Sequence, residues 1–308
     1  MYKIPTVTIG IPAFNEDQNI GTLVTSLLKQ KQDGWKLESI LVVSDGSTDK
    51  TCEVISAIST NHPLVQLRHR KLRKGISSTQ NEILEHTSSD ILVLIDADVF
   101  PANDEMISNL IGPLTDPAIG VVGGKPIPSP TAQGTIEKIM TVSEYFKNDV
   151  REHTSVISQL LLCHGRIRAF SRSFYSVLRW PENVPEDSFS YLFCIKSGFD
   201  FAYAPLATVY FHVPQNLSDY QKQNKRFDSS PKFLKRHFSP AFVDQQYSVP
   251  KFLLLKKAIH YIFKYPVYFP LYIGVYLFLK LLPIEEGQHS LSTIAVSTKR
   301  KLTHQDNF

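Results

Sequence analysis

Apolar runs and helical stripes alternate along the first half of the chain. The run TVTIGIPAF (6–14) is followed by Ile20, Leu23, Val24, Leu27 and Leu28 at helical spacing, then by SILVVS (39–44) and a stripe of Val54, Ile55 and Ile58. LVQLRH (64–69), SSTQNEILEH (77–86) and DILVLI (90–95) repeat the theme, and IGVVGG (119–124) adds a further strand. Short apolar runs bounded by turn residues read as strands covered on both faces. Strands alternating with helices predict βαβ crossovers, hence an α/β fold with a mostly parallel sheet and helices on both faces. Ligands of such sheets bind beyond the carboxyl ends of the strands. That rule puts three loops on one rim: PAFNE (12–16), SDGSTDKT (44–51) and DADVF (96–100). Periodicity weakens from 126 to 214, although TIEKIMTVSEYFKNDV (135–150) reads as a helix because Ile136, Ile139, Met140 and Val142 fall near one face. Beyond 214, aromatic and basic residues interleave as far as Lys264, an uncharged run covers 265–279, and the last stretch, STKRKLTHQDNF (297–308), is polar.

Composition narrows the class. The chain has 308 residues, 43% of them hydrophobic and 20% charged, which suits a globular protein with a sizeable core rather than a disordered one. Its three cysteines, Cys52, Cys163 and Cys194, are scattered, which argues against a disulfide framework or a thiolate zinc site and fits a reducing compartment. The first residues pass straight into a strand pattern with no signal-peptide signature, so the chain is expected to begin in the cytoplasm. A net charge of +4 conceals an asymmetry: residues 221–264 carry ten Lys or Arg against two acids, Asp228 and Asp244. Such a block is either a solvated face or a surface for an acidic partner, such as phosphates or an anionic lipid.

The candidate chemistry lies at the strand ends. Asp96 and Asp98 flank one alanine just after an apolar strand. Ionised carboxylates at the edge of a low-dielectric interior need a cation or hydrogen-bond donors, or they stay protonated. Each rim loop is ambiguous alone. SDGSTDKT reads equally as a turn and helix cap, and paired aspartates after a strand also occur in haloacid-dehalogenase-like phosphatases, which Val99, Phe100 and Pro101 fit poorly.

Taken together, IPAFNE, VVSDGSTD, RKGISSTQN and LIDADV, followed by GRIRAFSRS, PEDSF and QNKRF, resemble the family 2 inverting glycosyltransferases of the GT-A (Rossmann-like) fold over about residues 5–230. The resemblance implies a catalytic domain over 1–230, with a nucleotide-sugar half (1–125) and an acceptor half (126–230), followed by a basic and aromatic region over 231–308. It implies that Asp45 meets the nucleobase, with Pro12, Phe14 and Glu16 around base and ribose. Asp98 and Asp96 would hold a divalent cation, Mg²⁺ or Mn²⁺, with Asp96 also near the ribose, and His212 is a candidate third ligand. Hard cations take carboxylate oxygens and neutralise a diphosphate leaving group. Lys74 lies before small residues that let a helix N-terminus approach the sugar nucleotide. Asp187 is implied as the base for an acceptor hydroxyl and Glu186 as the group that orients it. An ordinary carboxylate is ionised at neutral pH and needs only geometry to act so. Gln223, Arg226 and Phe227 match a QxxRW signature with Phe in place of Trp, and Arg226 would steady the departing diphosphate. Arg166 is the preferred cation of CHGRIRAF, beside His164 and Arg168. A further departure is Ser44, where the family often has an acid.

The expected partners are a nucleotide-sugar donor carrying UDP, a lipid-linked or glycan acceptor and a membrane surface, with no nucleic acid. Fifteen uncharged residues span roughly 22 Å as a helix, short of the roughly 30 Å hydrocarbon core. Pro266 and Pro270 disrupt the first turns, and extension to Leu282 crosses Lys280. KFLLLKKAIHYIFK (251–264) has the alternation of an interfacial helix, and Lys299, Arg300 and Lys301 favour a cytoplasmic C-terminus. The expectation is a peripheral, monotopic or single-span attachment to the cytoplasmic face of a membrane. A buried helix pair or an oligomer contact would leave the same pattern. Two other functions stay open: a nucleotidyltransferase, although PAFNEDQN lacks a Gly-rich basic phosphate loop, and a catalytically silent scaffold.

Overall fold

The computed structural model describes residues 4–132, 134–154, 158–281 and 298. Strands β1 (Thr6–Ala13), β2 (Lys36–Asp45), β3 (Val65–Arg70) and β4 (Ile91–Ile95) alternate with helices α1 (Ile20–Leu28), α2 (Thr51–Asn61) and α3 (Ile76–Glu85). There follow β5 (Val99–Pro101), α4 (Met106–Ile111), β6 (Ile119–Pro128) and α5 (Thr135–Thr154). Next come β7 (Ile167–Ser171), α6 (Arg172–Tyr175), α7 (Glu186–Lys196) and β8 (Asp200–Phe211). The described chain continues through α8 (Leu217–Leu234), α9 (Pro240–Gln246), α10 (Lys251–Lys264) and α11 (Tyr268–Leu281).

The strands form one sheet in the order β3-β2-β1-β4-β7-β6-β8-β5. Its first four strands are parallel, as the alternating pattern implies. Past β4 the sheet is mixed: β7 runs antiparallel to both β4 and β6, β6 and β8 are parallel, and β5 closes the edge antiparallel to β8. The α/β class with layers on both faces is therefore as expected, and the antiparallel β7 is the feature that the weak periodicity concealed. β6 carries the chain across 125/126, and α8 carries it across 230/231.

The pleat sorts each buried strand between two cores. Ile91, Val93 and Ile95 of β4 enter one cluster, and Leu92 and Leu94 enter the other. Ile40 and Val42 of β2 divide from Leu41 and Val43 in the same way. Gly10 of β1 lets α3 approach, because a Cβ there would collide with the side chain of Ile83.

Two features of this topology place the site. Strand order reverses between β1 and β4, which opens a crevice at their carboxyl ends. Because β7 is antiparallel to β4, its first residues meet the last of β4, and the Asp96 N–H donates to the Arg166 carbonyl at 3.1 Å.

Helices α10 and α11 lie on α5. The Phe146 ring of α5 is 5.5 Å from that of Tyr261 and 4.9 Å from that of Phe269. Pro266 separates the two helices, and Pro270 sits in the first turn of α11, where a missing N–H costs little. No helix among the described residues is long and apolar enough to cross a membrane. Lys299, Arg300 and Lys301, with the rest of the polar tail apart from Thr298, lie outside the described residues.

Candidate active site

A cleft of about 640 Å³ opens at the strand-end rim. It is lined by Pro12, Phe14 and Glu16 from the loop after β1, Asp45 from β2, Lys74 from the loop before α3, and Asp96 and Asp98 after β4. Glu186, Asp187 and Arg226 complete it from the second half of the chain. Ten of the thirteen residues expected to form a site thus share one cavity. Arg166, Gln223 and His212 are not among its lining residues.

At the end of β2, Asp45 is already engaged. Its carboxylate accepts the N–H groups of Lys74 at 2.8 Å and Gly75 at 2.7 Å, with the Arg70 guanidinium at 3.4 Å. The acid staples the 71–75 loop to β2, while remaining in the cleft wall. Gly75 needs its φ of +89° for this turn, and a Cβ on Gly46 would come within 2.9 Å of the Arg73 nitrogen. The loop then swings the Arg73 guanidinium over the Phe14 ring at 4.2 Å, which makes a flat wall of the kind a nucleobase stacks against. Sequence reasoning missed Arg73, because one cation among five in RHRKLRK has nothing to mark it. Arg70 also holds α3: with Arg68 it pairs with Glu82. Burial opposes ionisation of Glu82, but the two arginines outweigh it and lower its pKa.

Asp96 and Asp98 extend the strand end into the cleft. Burial, and then the neighbouring Asp98 charge, push the Asp96 carboxyl up to about 6 against the pull of Arg166, Arg168 and Arg226. Two crowded carboxylates with oxygen donors at an open mouth fit a hard divalent cation, whose charge would relieve both. His212 comes one residue after the Val99–Phe211 pairing of β5 and β8, level with Asp98 on the next strand, and it is buried. Among the described residues no three His, Cys, Asp or Glu side chains converge as a metal cage, so Asp96, Asp98 and His212 are not gathered as a three-ligand set here. A cation at this rim would take its remaining ligands from diphosphate and water, as Mg²⁺-type sites do.

The opposite wall is the N-terminus of α7. The Glu186 carbonyl accepts from Arg168 Nη1 at 3.0 Å, Trp180 Nε1 at 2.9 Å and Ser190 Oγ at 2.6 Å. Trp180 is in turn clamped to Asn81 of α3 by a reciprocal pair of hydrogen bonds at 2.8 and 3.0 Å. Helix α3 and the start of α7 are thereby tied through one tryptophan, whose backbone bonds Asn81 and whose indole bonds the Glu186 carbonyl. Asp187 Oδ1 accepts its own helix's Ser188 N–H, which fixes the carboxylate at the helix start. Gly165 fits against this pair because even a Cβ there would lie 3.0 Å from Glu186 Oε1 and 3.7 Å from Asp187 Oδ2. Arg226 and Phe227 face the cleft from α8, whereas Gln223, one turn earlier, does not. Arg166 instead stacks on Phe211 at 3.8 Å.

Burial, then repulsion from Asp187, raises the Glu186 carboxyl to about 7. A carboxyl raised above its unfolded value near 4.5 keeps a proton in the folded state. Its stabilising contribution is complete below pH 4.5 and is lost as pH rises through about 7. Glu186→Gln is therefore expected to be more stable than the wild type at pH 8 by on the order of 1–3 kcal/mol, with no gain at pH 4.5. Denaturant melts of the ligand-free protein at the two pH values check this; an equal or opposite difference at pH 8 would contradict it.

Solved structures share the fold. The mannosyltransferase PcManGT from Pyrobaculum calidifontis, in complex with GDP-Man and Mn²⁺, superposes with a TM-score of 0.59 at 20% identity, over 92% of this chain and 77% of the other. Glucosyl-3-phosphoglycerate synthase from Mycobacterium tuberculosis, in complex with Mn²⁺, UDP and phosphoglyceric acid, gives 0.50 at 20% identity, over 73% of this chain and 77% of the other. In sequence, the chain is 26% identical over 239 residues to an N-acetylglucosaminyltransferase of Rhizobium meliloti, covering 74% of this chain and 56% of that protein. It is 24% identical over 232 residues to the poly-β-1,6-N-acetyl-D-glucosamine synthase of Staphylococcus aureus, covering 73% of this chain and 54% of that protein. The chain thus spans little more than half the length of these relatives. The profile of glycosyl transferase family 2 matches residues 8–179, more than half of the sequence, and the chain belongs to that family.

Proposed function

We propose that the protein is an inverting glycosyltransferase that moves a sugar from a nucleotide-sugar donor, UDP-linked, to an acceptor hydroxyl. The observation that carries this reading is the shared cleft, in which the Asp45 loop, the Asp96–Asp98 pair, the Glu186–Asp187 pair and Arg226 face one another from four separate stretches of chain. Phe14 and Arg73 would receive the base, with Asp45 holding the loop that closes over it. Asp98 and Asp96 would hold Mg²⁺ or Mn²⁺, which when bound supplies positive charge to the diphosphate. Asp187 takes the proton of the acceptor hydroxyl, whose oxygen forms a bond to the anomeric carbon from the face opposite the diphosphate. The anomeric C–O bond breaks with its electron pair going to UDP, and the Arg226 guanidinium offsets the charge that develops there. Glu186 orients the incoming hydroxyl. One base and no covalent intermediate suffice for inversion. A panel of nucleotide sugars incubated with the protein and Mn²⁺ tests this: release of free UDP supports sugar transfer, and release of sugar 1-phosphate in its place would indicate transfer of the nucleotidyl group.

The acceptor in this reading is lipid-linked or a glycan met at the anionic cytoplasmic face of a membrane. Supporting it, α10 and α11 expose Phe252 (78%), Leu255, Phe263 (82%), Leu277 and Leu281, with Lys251, Lys256 and Lys264 interspersed. An apolar face rimmed by cations matches an anionic bilayer surface, and each buried Phe contributes about 1.5–3 kcal/mol. The double substitution Phe252→Asp with Phe263→Asp is expected to abolish co-sedimentation with vesicles containing phosphatidylglycerol. Unchanged vesicle binding, or a wild-type dimer that the same substitutions split, would contradict the membrane reading.

A further inference from the structure

Near Asp187, and contributing no residue to the lining of the cleft, lies a second concentration of charge. Helix α5 contributes Lys147 and Arg151, and the loop before β7 contributes Arg166, with one carboxylate, Glu144, among them. Lys147 Nζ is 2.7 Å from Glu144 Oε1, and Arg151 Nη1 is 3.7 Å from Glu144 Oε2. Arg151 Nη1 also lies 3.4 Å from His164 Nε2 and donates to Asn148 Oδ1 at 2.9 Å. Arg166, flat on Phe211 and only partly buried, donates no side-chain hydrogen bond among the described residues. Lys147 and Arg151 thus share the Glu144 carboxylate, while Arg166 pulls on Asp96 and Asp187 is the second acid that acts on Arg151. The local potential shows in its titratable groups: burial, then Arg151 and Arg166, hold His164 well below its ordinary range, while Lys147 and Arg151 overcome burial to bring Glu144 down to about 2.

This cluster is adjacent to the chemistry without being part of the donor site. Asp187 acts on the Arg151 charge, and so does Tyr272 of α11. Gly165, between His164 and Arg166, abuts the Glu186 and Asp187 carboxylates. Yet the donor cleft takes no residue from α5 or from 163–166. A bracing role for α5 would need one cation opposite Glu144, where Lys147 and Arg151 both lie, and would not place beside them an Arg166 that donates no side-chain hydrogen bond among the described residues.

We propose that Lys147, Arg151 and Arg166 form an anion subsite that holds a phosphate or similar dianionic group of the acceptor, beside the hydroxyl presented to Asp187. The inference rests on the glycosyl-transfer reading and adds the acceptor's chemical class. Paired guanidinium donors suit a phosphate, and the subsite's position between Asp187 and α11 allows the phosphate to come from a soluble ester or from a lipid headgroup.

The test uses the full chain with UDP and excess Mn²⁺ present, so that the donor site is filled. Glycerol 3-phosphate and glycerol are titrated by calorimetry, and vesicles of phosphatidylcholine with and without phosphatidic acid are tested by sedimentation. The expected result is binding of the phosphate ester but not of glycerol, weakened about 10- to 100-fold by Arg151→Gln and by Lys147→Gln and partly restored by Arg151→Lys. A thermal shift with UDP and Mn²⁺ shows that each variant is folded. Arg151-dependent binding of phosphatidic acid vesicles alone would identify a lipid source, and Arg151-dependent binding of the soluble ester a free one. If neither phosphate probe depends on Arg151 or Lys147 in folded protein, the subsite does not exist. Should UDP and Mn²⁺ not bind the wild type at all, the donor reading fails instead, and the same titrations on the free protein still decide the subsite.

Discussion

Asp187→Asn is expected to lower sugar transfer by about 10²- to 10⁴-fold while UDP binding persists. The substitution is nearly isosteric, and the amide oxygen can still accept the Ser188 N–H that fixes the start of α7. The carbonyl of the preceding residue keeps its three donors from Arg168, Trp180 and Ser190, so the helix N-terminus stays in place. What is lost is the ability to take a proton at neutral pH, the one thing asked of this side chain. The check is steady-state kinetics beside a thermal shift with UDP and Mn²⁺. A variant that keeps near wild-type turnover would remove Asp187 as the base.

Asp98→Ala is expected to eliminate the Mn²⁺-dependent part of UDP binding and to reduce transfer by more than about 100-fold, since a Lewis-acid cation supplies several kcal/mol to charge developing on the leaving group. The protein itself should not suffer. Asp98 and Asp96 repel each other, and among the described residues Asp98 makes no side-chain hydrogen bond of the kind that holds Asp45 in place. Melting temperatures with UDP alone and with UDP plus Mn²⁺ read this directly. The wild type should gain from the metal and the variant should not. A variant with an undiminished metal-dependent shift would place the cation elsewhere.

The first half of the fold was legible because its strands are buried on both faces and its helices bury a single stripe. β1, β2 and β4 are near-continuous apolar runs, and α1 buries Ile20, Leu23, Val24 and Leu27 at helical spacing. β7 was hidden by its own content: IRAFS carries the fully buried Arg168 in mid-strand, which breaks any apolar run. α7 buries Ser188, Phe189, Ser190, Tyr191, Leu192 and Cys194 around most of its circumference, so no stripe marks it as a helix. Pro205 interrupts β8 in the same way.

The site was legible only as far as residue type signals role. Asp96 and Asp98 can be read as paired acids at a strand end, whereas Glu186 and Asp187, which open α7, are reached through the family resemblance; all four share the cleft. Residues that act by holding others cannot be read in either way. Nothing in the sequence ties Asn81 to Trp180 across ninety-nine positions, or shows Asp45 spending its oxygens on the backbone of Lys74 and Gly75. Lys147 and Arg151 read as ordinary solvated helix charges until α5 is seen against Asp187 and α11.

The most direct measurement is proton NMR of a transfer reaction with an α-linked UDP-sugar that the protein accepts, in the presence of Mn²⁺. The expected outcome is stoichiometric release of UDP and a β-linked product, with both signals absent for Asp187→Asn. An α-linked product, or no UDP released from any donor in the panel by folded protein, would contradict the account.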